Sequence, residues 1–172
     1  ALGRLGVSTI DGDTDGDGDY DKLFSYGARS FTIWDGYGRK VHDSGDFIGQ
    51  KTAELAPALF NADDGDPDEF DNRSDAKGAE PEGATTGEVY GHTLAFIGLE
   101  RGAGGVMVLD VKKPWQPEFV QYVRRDGDIS PEGLLFVDAK DGPTRQPLLI
   151  ISHEVSGTVA IYGFKQTGGN KG

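Results

Sequence analysis

The chain has 172 residues, with 29 acidic against 17 basic side chains, a formal charge of −12 and 27 glycines. Only 36% of it is hydrophobic, and no apolar run approaches the ~18 residues of a membrane helix. Phosphate backbones call for Lys and Arg, so no nucleic-acid partner and no direct membrane span are expected. Without Cys there is no disulfide framework, thiolate metal site or cysteine nucleophile.

The charge is concentrated. Residues 1–75 carry 17 acids, 15 of them Asp, against 7 bases. One acidic segment is 11–21, where Asp takes every second position; the other is 63–75, inside a Gly/Pro-containing stretch that runs to about residue 87. Carboxylates at that density repel unless a cation neutralises them or the segment stays loose.

In chain order, apolar runs rich in β-branched and aromatic residues predict strands over 5–10, 22–26, 30–34 and 40–44. One short helix is expected over 52–60, limited by Pro57. Six more strands follow over 93–99, 106–111, 118–123, 134–139, 148–153 and 158–164, separated by turns carrying Gly, Asp or Pro. The reading is all-β.

An internal repeat narrows the architecture. Pro81-Glu82-Gly83 recurs 50 residues on as Pro131-Glu132-Gly133, and the apolar strands that follow end at Glu100 and Glu154, 54 apart. A period of about 50 suits one four-stranded propeller blade, so the expected fold is a partial β-propeller of about three blades. The chain then divides into a calcium-loop blade (1–50), an acidic Gly/Pro-rich insertion with the helix (51–87), a second blade region (88–128) and a third (129–172).

The most specific motif is Asp13-Thr14-Asp15-Gly16-Asp17-Gly18-Asp19-Tyr20-Asp21. It matches the first nine positions of a calcium loop: Asp at 1, 3 and 5, Gly at 6, Asp at 9. Calcium takes about six to eight oxygens. Asp13, Asp15 and Asp17 would line one concave side, with the Asp19 carbonyl and Asp21 closing the cage. Position 12 is Phe24 rather than Glu, and no helical pattern flanks the loop, which argues for a calcium-binding hairpin and against an EF-hand. Asp11, Asp13, Asp15, Gly16 and Asp19 fit the same pattern two residues earlier, and a solvated acidic turn is the bland alternative. Millimolar calcium outside the cell would fill even a weak site, so an extracellular, cell-surface or periplasmic location is expected. Asp71 to Asp75 reads either as a second oxygen-rich site or as a polar loop, and Asn72-Arg73-Ser74 is a glycosylation sequon.

The runs Gly12 to Trp34, Phe70 to Gly83, Ala95 to Asp110, and Ser130 to Phe136 with Glu154 to Tyr162 together resemble the choice-of-anchor I domain. This family is seen in large secreted bacterial proteins, some called atypical alkaline phosphatases, and in mesenchyme-specific cell-surface glycoproteins. The resemblance is to the C-terminal part of the domain. It implies a β-propeller whose N-terminal portion, or other copies, would be the partner. Between Tyr122 and Ser130 the sequence is shorter than its relatives usually are.

Two functions of different class follow. The first is a calcium-stabilised extracellular propeller segment with a structural, adhesive or assembly role. The alternative is a metal-dependent, alkaline phosphatase-like phosphoesterase completed by an absent N-terminal part. In that case Glu82, Glu100, Glu132 and Glu154 would gather on one rim to hold divalent ions. Arg101 would take a phosphate in two-pronged fashion, and His153 would serve as base. The competing reading of these glutamates is purely structural, as acceptors for amides of neighbouring Gly turns. No Gly-x-Ser-x-Gly elbow is present.

Overall fold

The computed structural model describes residues 4–166. Its strands are β1 (Thr32–Trp34), β2 (Lys40–Asp43), β3 (Pro81–Val89), β4 (His92–Leu99), β5 (Val106–Asp110), β6 (Glu118–Val123), β7 (Pro131–Val137), β8 (Leu148–His153) and β9 (Thr158–Gly163). One helix, α1 (Phe47–Leu55), and short 3-10 turns at Pro57–Leu59, Pro67–Glu69 and Asn72–Asp75 lie between β2 and β3. Pro57 stops α1 as its missing N–H requires, but the helix starts five residues ahead of the expected position.

The strands form three antiparallel sheets: β1-β2, the meander β3-β4-β5-β6, and β7-β8-β9. The expected partial propeller is not what forms. The sheets are open, and no strand among the described residues links the edges β6 and β9 into a ring. The N-terminal region does not build a blade either. Segments 5–10 and 22–26 share a single β-bridge, Val7↔Ser25, with Ser8 N–H donating to Phe24 O (2.9 Å), Lys22 N–H to Gly12 O (3.2 Å) and the Tyr26 hydroxyl to Val7 O (3.0 Å). Alternating aspartates between these arms leave too few apolar side chains to pin a ladder.

The repeat itself is real at the backbone. β3 and β7 open on the Pro-Glu-Gly triplets, and each breaks register there against its neighbour. Glu80 (φ 49°) and Ser130 (φ 60°) precede the two prolines in the left-handed conformation. Their carbonyls accept the amides of Glu100 (2.9 Å) and Glu154 (2.8 Å) respectively. The same backbone device thus holds the end of β4 on β3 and of β8 on β7.

The core has two layers. Ile97, Leu99, Met107 and Leu109 pack on Ile48 of α1, with Phe31, Phe47 and Phe119 around them. Leu94, Phe96, Val106 and Val108, on the opposite face of the same sheet, pack on Leu149 and Ile151 of β8. Three glycines make the second contact close. A Cβ on Gly87 would sit 2.2 Å from the Phe136 ring, and one on Gly83 or Gly98 would sit 2.8 Å from Leu134. Phe96, Phe136 and Phe164 cluster at the seam, with ring centroids 5.7–6.0 Å apart. Both tryptophans, Trp34 and Trp115, are exposed.

Candidate functional site

The aspartate-rich loop is a neck and a bowl. At the neck, Gly12 (φ 107°) lies so close to the opposite arm that a Cβ would fall 2.2 Å from Lys22 O. Gly16 and Gly18, with φ of 79° and 96°, turn the chain inside the bowl, a conformation that costs glycine nothing. The Asp13 carboxylate accepts the Gly16 amide (2.6 Å) and the Gly18 amide (3.1 Å), and Asp15 accepts that of Asp17 (3.3 Å). Asp21 accepts both the hydroxyl (2.6 Å) and the amide (3.0 Å) of Thr14, and these bonds, the hydroxyl first, hold its carboxyl below the ordinary range. Asp13, Asp15 and Asp21 each bring a carboxylate oxygen within 4.8 Å of the others, all three exposed. That spacing lets one divalent cation touch all three. Asp17 and Asp19 stand outside this trio; Asp17 caps the Asp19 amide at 3.1 Å. Asp11 is turned toward Ser8, whose hydroxyl donates to it at 2.7 Å.

A second acidic group lies where the two larger sheets meet. Glu82 at the start of β3, Glu132 at the start of β7 and Glu100 just beyond β4 place carboxylate oxygens within 4.8 Å of one another, a spacing that also suits a divalent cation. Glu82 and Glu132 are exposed, whereas the Glu100 side chain is only 10% exposed. The Glu82 carboxyl facing it, together with burial, raises the Glu100 pKa to about 7 against the pull of Arg101. Glu100 also borders a cavity of about 250 Å³ that Ser130 and Asp128 help to line. Behind it, burial pushes Glu80 up, but bonds from Lys77 (2.5 Å) and Arg73 outweigh this and hold its carboxyl below the ordinary range.

Residues 1–114 match the family model of the choice-of-anchor I domain. The chain belongs to the choice-of-anchor I domain family. The match stops short of the resembling stretches near Ser130 and Tyr162, and nothing in it carries an alkaline-phosphatase identity. The chain is also similar to Gigasin-3a of Magallana gigas, 28% identical over 183 residues. That alignment covers 94% of this chain and 64% of the relative, so the chain spans less than two thirds of that protein's length. No solved structure matches it.

For this choice-of-anchor I chain, both functions expected from sequence need correction. A propeller segment requires radially arranged blades, and the sheets are open. The phosphoesterase reading required four glutamates on one rim with Arg101 and His153 free to act. Glu154 is not in the cluster: it occupies the place in the second sheet that Glu100 occupies in the first, and no further sheet among the described residues faces it. Arg101 is taken up by Asp64 and by Glu100 (2.8 Å). His153 is buried on the inner face of β8, its Nδ1 3.4 Å from the Thr158 hydroxyl. The structural role shown for two of these glutamates is a different one from the expected acceptance of Gly-turn amides by their carboxylates: the backbone amides of Glu100 and Glu154 donate to the Glu80 and Ser130 carbonyls.

Asp71 to Asp75 forms a 3-10 turn held from within and by neighbours: Ser74 donates to Asp71, Asn61 donates to Ser74 (2.8 Å), and Asp75 pairs with Arg4 (3.3 Å). Glu80 and Asp64, the partners that hold Arg73 and Arg101, escaped the sequence reading. The position directly ahead of each Pro-Glu-Gly triplet was the available signal for Glu80. No helix among the described residues is long and apolar enough to cross a membrane.

Proposed function

We propose that this chain is a calcium-binding module in which one ion orders the 11–21 loop and holds its two arms together. Asp13, Asp15 and Asp21 are the side-chain ligands, with Asp17 and the Asp19 carbonyl completing the oxygen set as the loop closes. The observation that carries this reading is the convergence of three exposed carboxylates within 4.8 Å across a glycine-closed neck. Calcium suits it better than magnesium, because a flexible, oxygen-rich loop meets calcium's variable coordination and not magnesium's strict octahedron. Binding to the folded loop alone stabilises the fold, by about 1.4 kcal/mol when free calcium is ten times the Kd.

The exposed, shallow site fits a setting with millimolar calcium, so we place the protein outside the cell, on its surface or in a periplasm. Its proposed partners are other copies of the chain or the remaining polypeptide of a longer family member. Calorimetric titration of the chelator-treated protein should show calcium binding at millimolar Kd or tighter, lost in Asp13→Asn and Asp15→Asn. Heat signals identical in wild type and both variants would reject the assignment.

A further inference from the structure

The outer face of the β7-β8-β9 sheet is made by Gly133, Leu135 and Val137, by Leu148, Ile150 and Ser152, and by Val159, Ile161 and Gly163, the residues that alternate with the buried inner set. None of the nine is charged, in a chain of net charge −12. Leu135, Ile150 and Ile161 stand side by side across the three strands. Leu135 is 58%, Val159 66% and Ile161 64% exposed.

The internal repeat says what kind of surface this is. Aligning the two Pro-Glu-Gly strands and the paired strands after them puts Leu135, Ile150 and Ile161 at the places of Thr85, Phe96 and Val108 in the first sheet. Phe96 and Val108 are buried, because the second sheet lies on them. Val159 likewise takes the place of the fully buried Val106. The outer face therefore carries the residues of a sheet-covering position with nothing over it.

We propose that a second copy of this chain covers it, the same face of each copy packing on the other about a two-fold axis. The proposal selects the copy from the partners named above. A second molecule has one large sheet face to offer, since α1 and the β7-β8-β9 sheet already cover the two faces of the first. An uncharged patch is also where two strongly acidic molecules meet with least repulsion. Nine residues a side is well below the ~20–30 of a standard interface, so the dimer is a weak, reversible one.

Sedimentation velocity of the calcium-loaded chain from a few to several hundred micromolar tests this. The expected result is a reversible monomer–dimer equilibrium, weakened about tenfold or more by Ile161→Lys and unchanged by Val120→Lys, a control at an exposed apolar position on β6. Ile161→Thr, which keeps the β-branched shape, should weaken it in the same direction even if the lysine variant misfolds. A monomer at every concentration would overturn the proposal and leave the face to another polypeptide. So would a dimer indifferent to Ile161→Thr, or equally sensitive to Val120→Lys. Calcium titration of the same samples reads the 11–21 loop separately, so failure of the dimer and failure of the calcium site are distinguishable.

Discussion

Gly12→Ala is the sharpest test of the loop, because the residue touches no ion. Its φ of 107° lies where side chains are strained, and the new methyl would meet Lys22 O at 2.2 Å. A residue held in such a region costs about 1–3 kcal/mol. The backbone clash forces the neck apart as well, breaking the Lys22 N–H bond to Gly12 O. With tenfold in affinity for each ~1.4 kcal/mol, calcium binding should weaken about 5- to 150-fold. Gly16→Ala and Gly18→Ala share the positive φ but meet no atom within 4 Å, so their losses should fall at the low end of that range. Terbium luminescence sensitised by Tyr20, with calcium competing, reads all three variants. A Kd for Gly12→Ala within twofold of wild type would refute the reasoning that the neck shapes the bowl.

Two further outcomes concern the seam between the sheets. Because the folded-state pKa of Glu100 is raised to about 7, above the ordinary value of 4.5, the folded protein holds this proton more tightly than the unfolded chain. Stability should therefore fall by about 1–3 kcal/mol as pH rises from near 4.5 through 7, then level off. Urea denaturation in chelator should show that decline, and Glu100→Gln should flatten it; an unchanged slope would count against the Glu82 carboxyl facing a buried Glu100. Gly87→Ala overpacks Phe136 and should cost about 1–3 kcal/mol, read as a lower melting temperature, whereas Gly36→Ala, with open space around it, tests the ordinary cost of losing a glycine.

Strands that face the core were readable from residue type alone. The 118–123 and 148–153 segments form β6 and β8 at the expected bounds, because Phe119 and Tyr122 on one, and Leu149 and Ile151 on the other, turn into the core. β3 was invisible for an equally physical reason. Its sequence, Pro-Glu-Gly-Ala-Thr-Thr-Gly-Glu-Val, lacks apolar bulk because its glycines make room for Leu134 and Phe136 from the neighbouring sheet. Local sequence cannot announce a strand defined by what packs against it. The 5–10 and 22–26 segments failed in the opposite sense: Val7, Ile10, Leu23 and Phe24 suggested strands, but Ile10 (92%) and Leu23 (71%) face water. The repeat was legible in spacing, and its 50-residue period fits either a ring or an open stack. What decides between them is the pairing of edge strands, which no period encodes. For the site, alternation of Asp pointed to the loop, while the choice of Asp13, Asp15 and Asp21 depended on how Gly12 closes the neck.

The placement of Trp34 and Trp115 in solvent has a practical corollary. Indole emission from this molecule should sit near the red, water-like limit in the native and the denatured protein alike. A melt followed by that signal would register little while the sheets come apart. Buried phenols are the better reporters, Tyr122 above all: its hydroxyl donates to the Gly104 carbonyl, and burial pushes its ionisation well above the ordinary range. Near-ultraviolet dichroism, or the alkaline absorbance of tyrosinate, would therefore see the interior give way when fluorescence does not.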